Sequence, residues 1–168
     1  MRDFGLFLVR GVTGALLIGH GTQKLFGWFG GGGPDGTGAM LESLGYPQGK
    51  DMARLTGAAE TGAGVSLASG LLTPLGAAGV IGVMTNATVS VHLSSGLWNH
   101  NGGYEYPLVL STLATSLALG GPGKLSSDAA LGWKLNGPWW GLGALALGGG
   151  AAAAALQTRR TQKESETG

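Results

Sequence analysis

LFLVRGVTGALLIGHGTQKLFGWF, residues 6–29, has the length and apolarity of a membrane span but contains Arg10, His20 and Lys24. A helix turns about 100° per residue, so Arg10, Thr13, Leu17, His20 and Lys24 fall within a stripe about 80° wide. A charge facing lipid at bilayer depth costs from about 2.5 to over 10 kcal/mol. The stripe must therefore face protein, water or a bound polar group. The run is too long for a signal peptide, is broken by Arg10 and His20, and leads into no small-residue cleavage site. We expect it to stay as the first span.

Composition points the same way. Only 11% of the 168 residues are charged, against about 25% in an ordinary soluble domain. The 35 glycines follow no three-residue period, which excludes collagen, and the net charge of +1 gives no footprint for nucleic acid. The chain has no cysteine, hence no disulfide, thiolate nucleophile or iron–sulfur ligand of its own. No metal-binding motif is present, and no sequence motif encodes a cofactor.

Working outward from the first span, Phe26, Trp28 and Phe29 suit an interfacial aromatic belt, and Gly30 to Gly33 read as a flexible exit. Residues 37–44 read as a short helix capped by Thr37 and stopped by Gly45. A second span covers about residues 52–72 and holds one acid, Glu60. Its Ala58, Gly62, Ser66 and Gly70 recur every fourth residue, a small-residue ladder that permits close helix approach or self-association. Thr73-Pro74 turns the chain into a third span, residues 75–96, with a second ladder of Ala78, Gly82, Asn86 and Ser90. Span four, residues 104–121, has Glu105 and Pro107 in its first turn, where a carboxylate favours the helix dipole.

The expected fold is an all-α integral membrane four-helix bundle over residues 4–121. A polar connector, 122–136, leads to a fifth C-terminal transmembrane helix, 137–156, and a disordered polar tail, 157–168.

Antiparallel spans allow a depth estimate from the face where span one ends, here the far face. At about 1.5 Å per residue, His20 lies about 13 Å below it, Glu60 about 12 Å, Asn86 about 15 Å and Thr112 about 12 Å. Lys24, His92 and Glu105 form a shallower layer, and Arg10 lies deeper, toward the near face. Such a centre suits the polar head of an amphipathic ligand whose tail lies between helices. Glu60 and His20 are the candidate proton-handling residues; Arg10, Asn86, Lys24, His92 and Glu105 are candidate ligand contacts. Each also has a plainer reading. Glu60 can form a salt bridge with Arg10 or Lys24, His20 can be a packing histidine, Lys24 can snorkel, and Asn86 can bond helices together.

Arg10 with Gly14, His20-Gly21 with the Lys24-Leu25-Phe26-Gly27 ending, Glu60 with Gly62, Gly64, Gly70 and Thr73, and NGGYEYP at residues 101–107 together resemble the DoxX family. The resemblance covers residues 4–121, and the segment after Leu135 extends beyond the family's usual four-helix core. It implies a multi-pass protein of the bacterial inner membrane, related to the membrane subunit of thiosulfate:quinone oxidoreductase. Mycobacterial-type members are associated with a membrane redox complex containing a superoxide dismutase and a sulfurtransferase. Many members have no established activity.

Three functions follow as expectations. The first is a subunit of a redox system that binds a quinone or similar molecule between helices and takes electrons from a soluble partner. The second is a non-catalytic scaffold for such soluble enzymes. The third is a small-molecule or lipid carrier. Partners expected with these are the bilayer, soluble redox enzymes and a second copy of the chain.

Overall fold

The computed structural model describes residues 1–167, with side chains described for residues 1–159. The fold is all-helical, with no strand among the described residues. Helix α1 is Arg2–Phe26, α2 Gly33–Ser43, α3 Gly49–Ser69, α4 Thr73–Ala87, α5 Glu105–Gly120, α6 Ser127–Ala130 and α7 Pro138–Thr167. Three stretches are long and apolar enough to cross a membrane: Arg2–Phe26, Thr73–Ser95 and Pro138–Arg159.

Helices α1 and α3 form the tightest pair. A Cβ on Gly14 would sit 2.5 Å from the Gly64 carbonyl, and one on Gly57 would sit 3.0 Å from the Gly21 carbonyl. Residue number rises along α1 as it falls along α3, so the two are antiparallel, and glycine is what lets their backbones meet. The close approach uses Gly57 and Gly64, neither of which belongs to the expected ladder; Ala58 and Gly62 of that ladder face outward. In α4, Gly76 packs on Ser66, while Gly82 of the second ladder meets the Gly148 carbonyl of α7. Leu17, Leu67, Val80, Ile81, Leu110 and Leu117 form the central core.

Several connections differ from expectation. The glycines after α1 are not a flexible exit. Gly27 ends α1 in the left-handed region (φ 73°), a 3-10 turn spans Trp28–Gly30, and a side chain on Gly31 would collide with Gln23. Helix α2 starts at Gly33 with Pro34 in its first turn and has no side-chain cap, so Thr37 lies inside it. Leu41, Tyr46 and Ala53 seal α2 and the following turn onto α3. Beyond Ala87 the helix widens into a π turn, Thr88–His92, and closes as a 3-10 turn, Leu93–Ser95.

Helix α7 packs on α4 and α5. It begins beside Leu119 of α5, which a Cβ on Gly141 would strike, and at its other end Arg159 approaches Gly45. It therefore runs the full height of the other helices. It also continues past Leu156 through Thr167. The tail expected to be disordered from residue 157 is thus helical in the described residues, for no proline or glycine interrupts it before Gly168. Side chains from Arg160 onward lie outside the described residues.

Candidate functional site

The stripe on α1 faces inward. Arg10, Thr13 and Leu17 are buried and His20 and Lys24 half-buried, while Val9, Val12 and Leu16 on the other face are exposed. The side chains of the stripe then separate to two levels.

At the far level the centre is an ion pair. Lys24 Nζ donates to Glu60 Oε2 at 2.6 Å, and Glu60 is only 3% exposed. Glu60 is held toward α1 because Gly57, one turn earlier on α3, lets α1 come close enough for Lys24 to reach it. Beside this pair, His20 Nε2 lies 3.2 Å from the Tyr106 hydroxyl, with the rings tilted at 5.7 Å. His20 and Lys24 lie four residues apart on α1, so the imidazole–phenol contact sits one turn along from the ion pair. Helices α1, α3 and α5 thus contribute four proton-exchanging groups to one place: a carboxylate, an ammonium, an imidazole and a phenol. Around such a centre a bound carbonyl can find donors and a leaving proton can find an acceptor.

Asn86 belongs to a neighbouring arrangement. The Tyr46 hydroxyl donates to Asn86 Oδ1 at 2.7 Å and lies 2.6 Å from Ser90 Oγ. Tyr46 is 1% exposed, so these bonds satisfy a hydroxyl that has no access to water. They join the turn after α2 to α4 at the start of its π turn, a kind of helix defect often found at functional sites.

His92 and Glu105 do not join the centre. His92 Nδ1 donates to the Gly102 carbonyl at 2.7 Å, and Glu105 accepts the Asn99 amide at 3.0 Å. Both organise the loop between the π turn and α5. Thr112 bonds its own helix, at the Leu108 carbonyl.

Arg10 also lies away from Glu60. Its guanidinium donates to the carbonyls of Leu67 and Ala68 at the end of α3 and of Leu125 in the connector, and lies 5.2 Å from the centre of the Phe7 ring. A cation at a helix C-terminus meets the partial negative charge of unpaired carbonyls. Nε is the one buried side-chain nitrogen or oxygen without a hydrogen-bond partner among the described residues. Of the two partners the sequence leaves open for Glu60, Lys24 is the one taken.

The connector supplies a residue that sequence reading missed. Asp128 is 1% exposed and accepts the Leu72 amide at 2.8 Å, the Thr73 amide at 3.1 Å and the Thr73 hydroxyl at 2.8 Å. Leu72 occupies the cap position of α4 and has no side-chain acceptor. The first amides of α4 therefore need an oxygen from elsewhere, and this uncapped start is the signal that could have found Asp128. Tyr46 and Tyr106 were missed for another reason: in a membrane protein an aromatic hydroxyl reads first as an interface residue.

An apolar groove of about 530 Å³ lies between α3, α4 and α7, on a face away from the ion pair, lined by Gly62, Ser66, Gly79 and Leu147 among others. No group of three His, Asp or Glu side chains gathers as a metal site among the described residues.

No curated protein and no solved structure matches this chain. The DoxX family model matches residues 5–93. The matched stretch runs from α1 through the π turn and so contains Arg10, His20, Lys24, Glu60, Asn86 and His92; it stops short of α5 and Tyr106. With the match covering over half of the sequence and three helices apolar enough to cross a bilayer, this chain is a membrane protein that belongs to the DoxX family.

Proposed function

We propose that α1, α3, α4 and α5 cross the bacterial inner membrane as a four-helix bundle, with α7 as a fifth span. In this reading the protein is the membrane subunit of a redox system, and its substrate is a quinone or a similar amphipathic molecule. The observation that carries the reading is the buried Glu60–Lys24 pair with His20 and Tyr106 beside it. A purely structural ion pair needs no imidazole–phenol partner next to it. His20 and Tyr106 would hydrogen-bond a ring oxygen and pass a proton between Nε2 and the hydroxyl. Glu60 would accept or return that proton while Lys24 holds it in place. Electrons would come from a soluble partner.

A second reading, a scaffold for soluble redox enzymes such as a superoxide dismutase and a sulfurtransferase, is favoured by one feature. The connector is fastened to the helices through Asp128 and the Leu125 carbonyl, so it offers a fixed surface.

The test is binding of a fluorescent quinone analogue to the detergent-purified chain. Glu60→Gln, His20→Ala and Tyr106→Phe should each weaken binding by about tenfold, the loss of one good polar contact. Unchanged binding in all three would remove the ligand site and leave the scaffold.

A further inference from the structure

A recess opens on the near face, away from the Glu60 centre. Its volume is about 270 Å³, and it forms where the first turn of α1 meets the loop leaving α5 and the stretch before α7. Arg2, Lys124 and Lys134 line it, against a single carboxylate, Asp3. That carboxylate already accepts the Lys124 backbone amide at 3.0 Å. None of the three cations belongs to an ion pair among the described residues. The recess therefore carries positive charge that the protein does not neutralise. Gly121 and Pro122 are buried beneath it, so its base is closed.

Its surroundings place it at a membrane boundary. Leu125 and Leu131 are exposed beside it, Trp133 is 45% exposed on its wall, and Trp139 and Trp140 are exposed at the start of α7. Trp and Lys together mark the level of lipid headgroups. Phe4 and Leu8, on the outer face of α1, continue the apolar surface from this level into the bilayer. We propose that this recess binds the phosphodiester headgroup of an anionic phospholipid, with Lys124 and Lys134 as the principal contacts. A free phosphate would use the same cations but would gain nothing from the apolar and aromatic rim. The inference rests on the membrane placement of α1 and is independent of the quinone reading.

The experiment uses the full chain in nanodiscs of phosphatidylcholine with a minor fraction of phosphatidylglycerol, and native mass spectrometry of the lipid that stays bound after release. Phosphatidylglycerol should be enriched over phosphatidylcholine. Each lysine near an anionic surface contributes about fivefold, so K124A/K134A should lose most of that enrichment while K124R/K134R keeps it. K50A/R54A, on the opposite face, should keep it as well. Inorganic phosphate at millimolar concentration should neither displace the lipid nor reproduce its effect on the melting temperature. Undiminished enrichment in K124A/K134A would overturn the proposal, and displacement by inorganic phosphate would assign the recess to a free anion. Both lysines are exposed, and an unchanged melting temperature in pure phosphatidylcholine shows that the variants fold.

Discussion

Arg10 and Lys24 lie on one stripe of one helix, yet their burial has different physics. Arg10 answers carbonyls, groups that every residue has, so no sequence pattern names its partners. Lys24 answers Glu60, and here the sequence was informative: a lone acid in the second span leaves only Arg10 and Lys24 on the first to answer it, although the depth estimate set Lys24 in a shallower layer. The two sites respond differently to substitution. Lys24→Met leaves a carboxylate that is 3% exposed without its counter-charge, which costs about 3–5 kcal/mol. The double variant Lys24→Met/Glu60→Met should recover much of that loss, because an apolar pair replaces the ion pair at similar volume. Chemical denaturation of the detergent-solubilised chain checks it, and a double variant as unstable as the single one would mean that the pair is not the cause. Arg10→Leu removes charged hydrogen bonds to three carbonyls and should lower stability by at least about 1.5–3 kcal/mol. No second substitution should rescue it, since the carbonyls remain.

At the scale of elements, glycine decides which helices touch. A period of four was legible in the sequence, but the packed face was not, because a ladder does not say which side a neighbour occupies. Gly57 and Gly64 meet α1, and Ala58 and Gly62 of the period-four set are left facing outward. Gly14→Ala would place a methyl group 2.5 Å from a backbone carbonyl and 2.7 Å from the Ala68 amide nitrogen. Neither atom can yield without moving α3, so the melting temperature should fall, by about 1–3 kcal/mol in stability terms. Gly11→Ala, three residues away with nothing within 4 Å of the new Cβ, should be neutral or stabilising, since alanine is the better helix former. Equal effects of the two substitutions would contradict the packing. Helix α2 gives a test in pH. The Lys50 ammonium, hydrogen-bonded to Asp35 at the start of α2, holds that carboxyl below its ordinary value. A depressed folded value means that the contact contributes above the usual carboxylate range and is lost as pH falls through the folded value. The pair is exposed, so its effect is small and local. Protection of the amides at the start of α2, measured against the intrinsic exchange rate at each pH, should fall on acidification in the wild type and be less sensitive to pH in Asp35→Asn.

At the scale of the whole molecule, the proposed five crossings depend on what each helix can hide. Helix α3 is too polar, and α5 too short at 16 residues, to be recognised as spans by apolar length alone. Composition still read both as spans, because each lies between turn signals, Thr73-Pro74 for one and Gly120-Gly121 for the other. Helix α3 can be polar because α1, α2 and α4 cover it, and α5 can be short because the loop of Glu105 and His92 closes above it. Helix α7 was legible as an apolar run, but its contact with α4 was not: Gly148 against Ala78 and Ile81 is set by the outward side of a ladder that could equally have bound a second chain. If α1, α3, α4, α5 and α7 all cross, as proposed, five antiparallel crossings put the two chain ends on opposite faces. Lys50, Arg54 and Arg159 then share the far side with the residues that follow, including Arg160 and Lys163, against Arg2, Lys124 and Lys134 on the near side. Basic loops stay in the cytoplasm, so the far face and the C-terminus should be cytoplasmic. Green fluorescent protein fused after Gly168 should fluoresce, and alkaline phosphatase inserted after Gly123 should be active. Activity of both reporters in the opposite sense would invert the molecule in the membrane. Phosphatase activity at both positions would reduce the crossings to four and leave α7 lying against the bundle without traversing it.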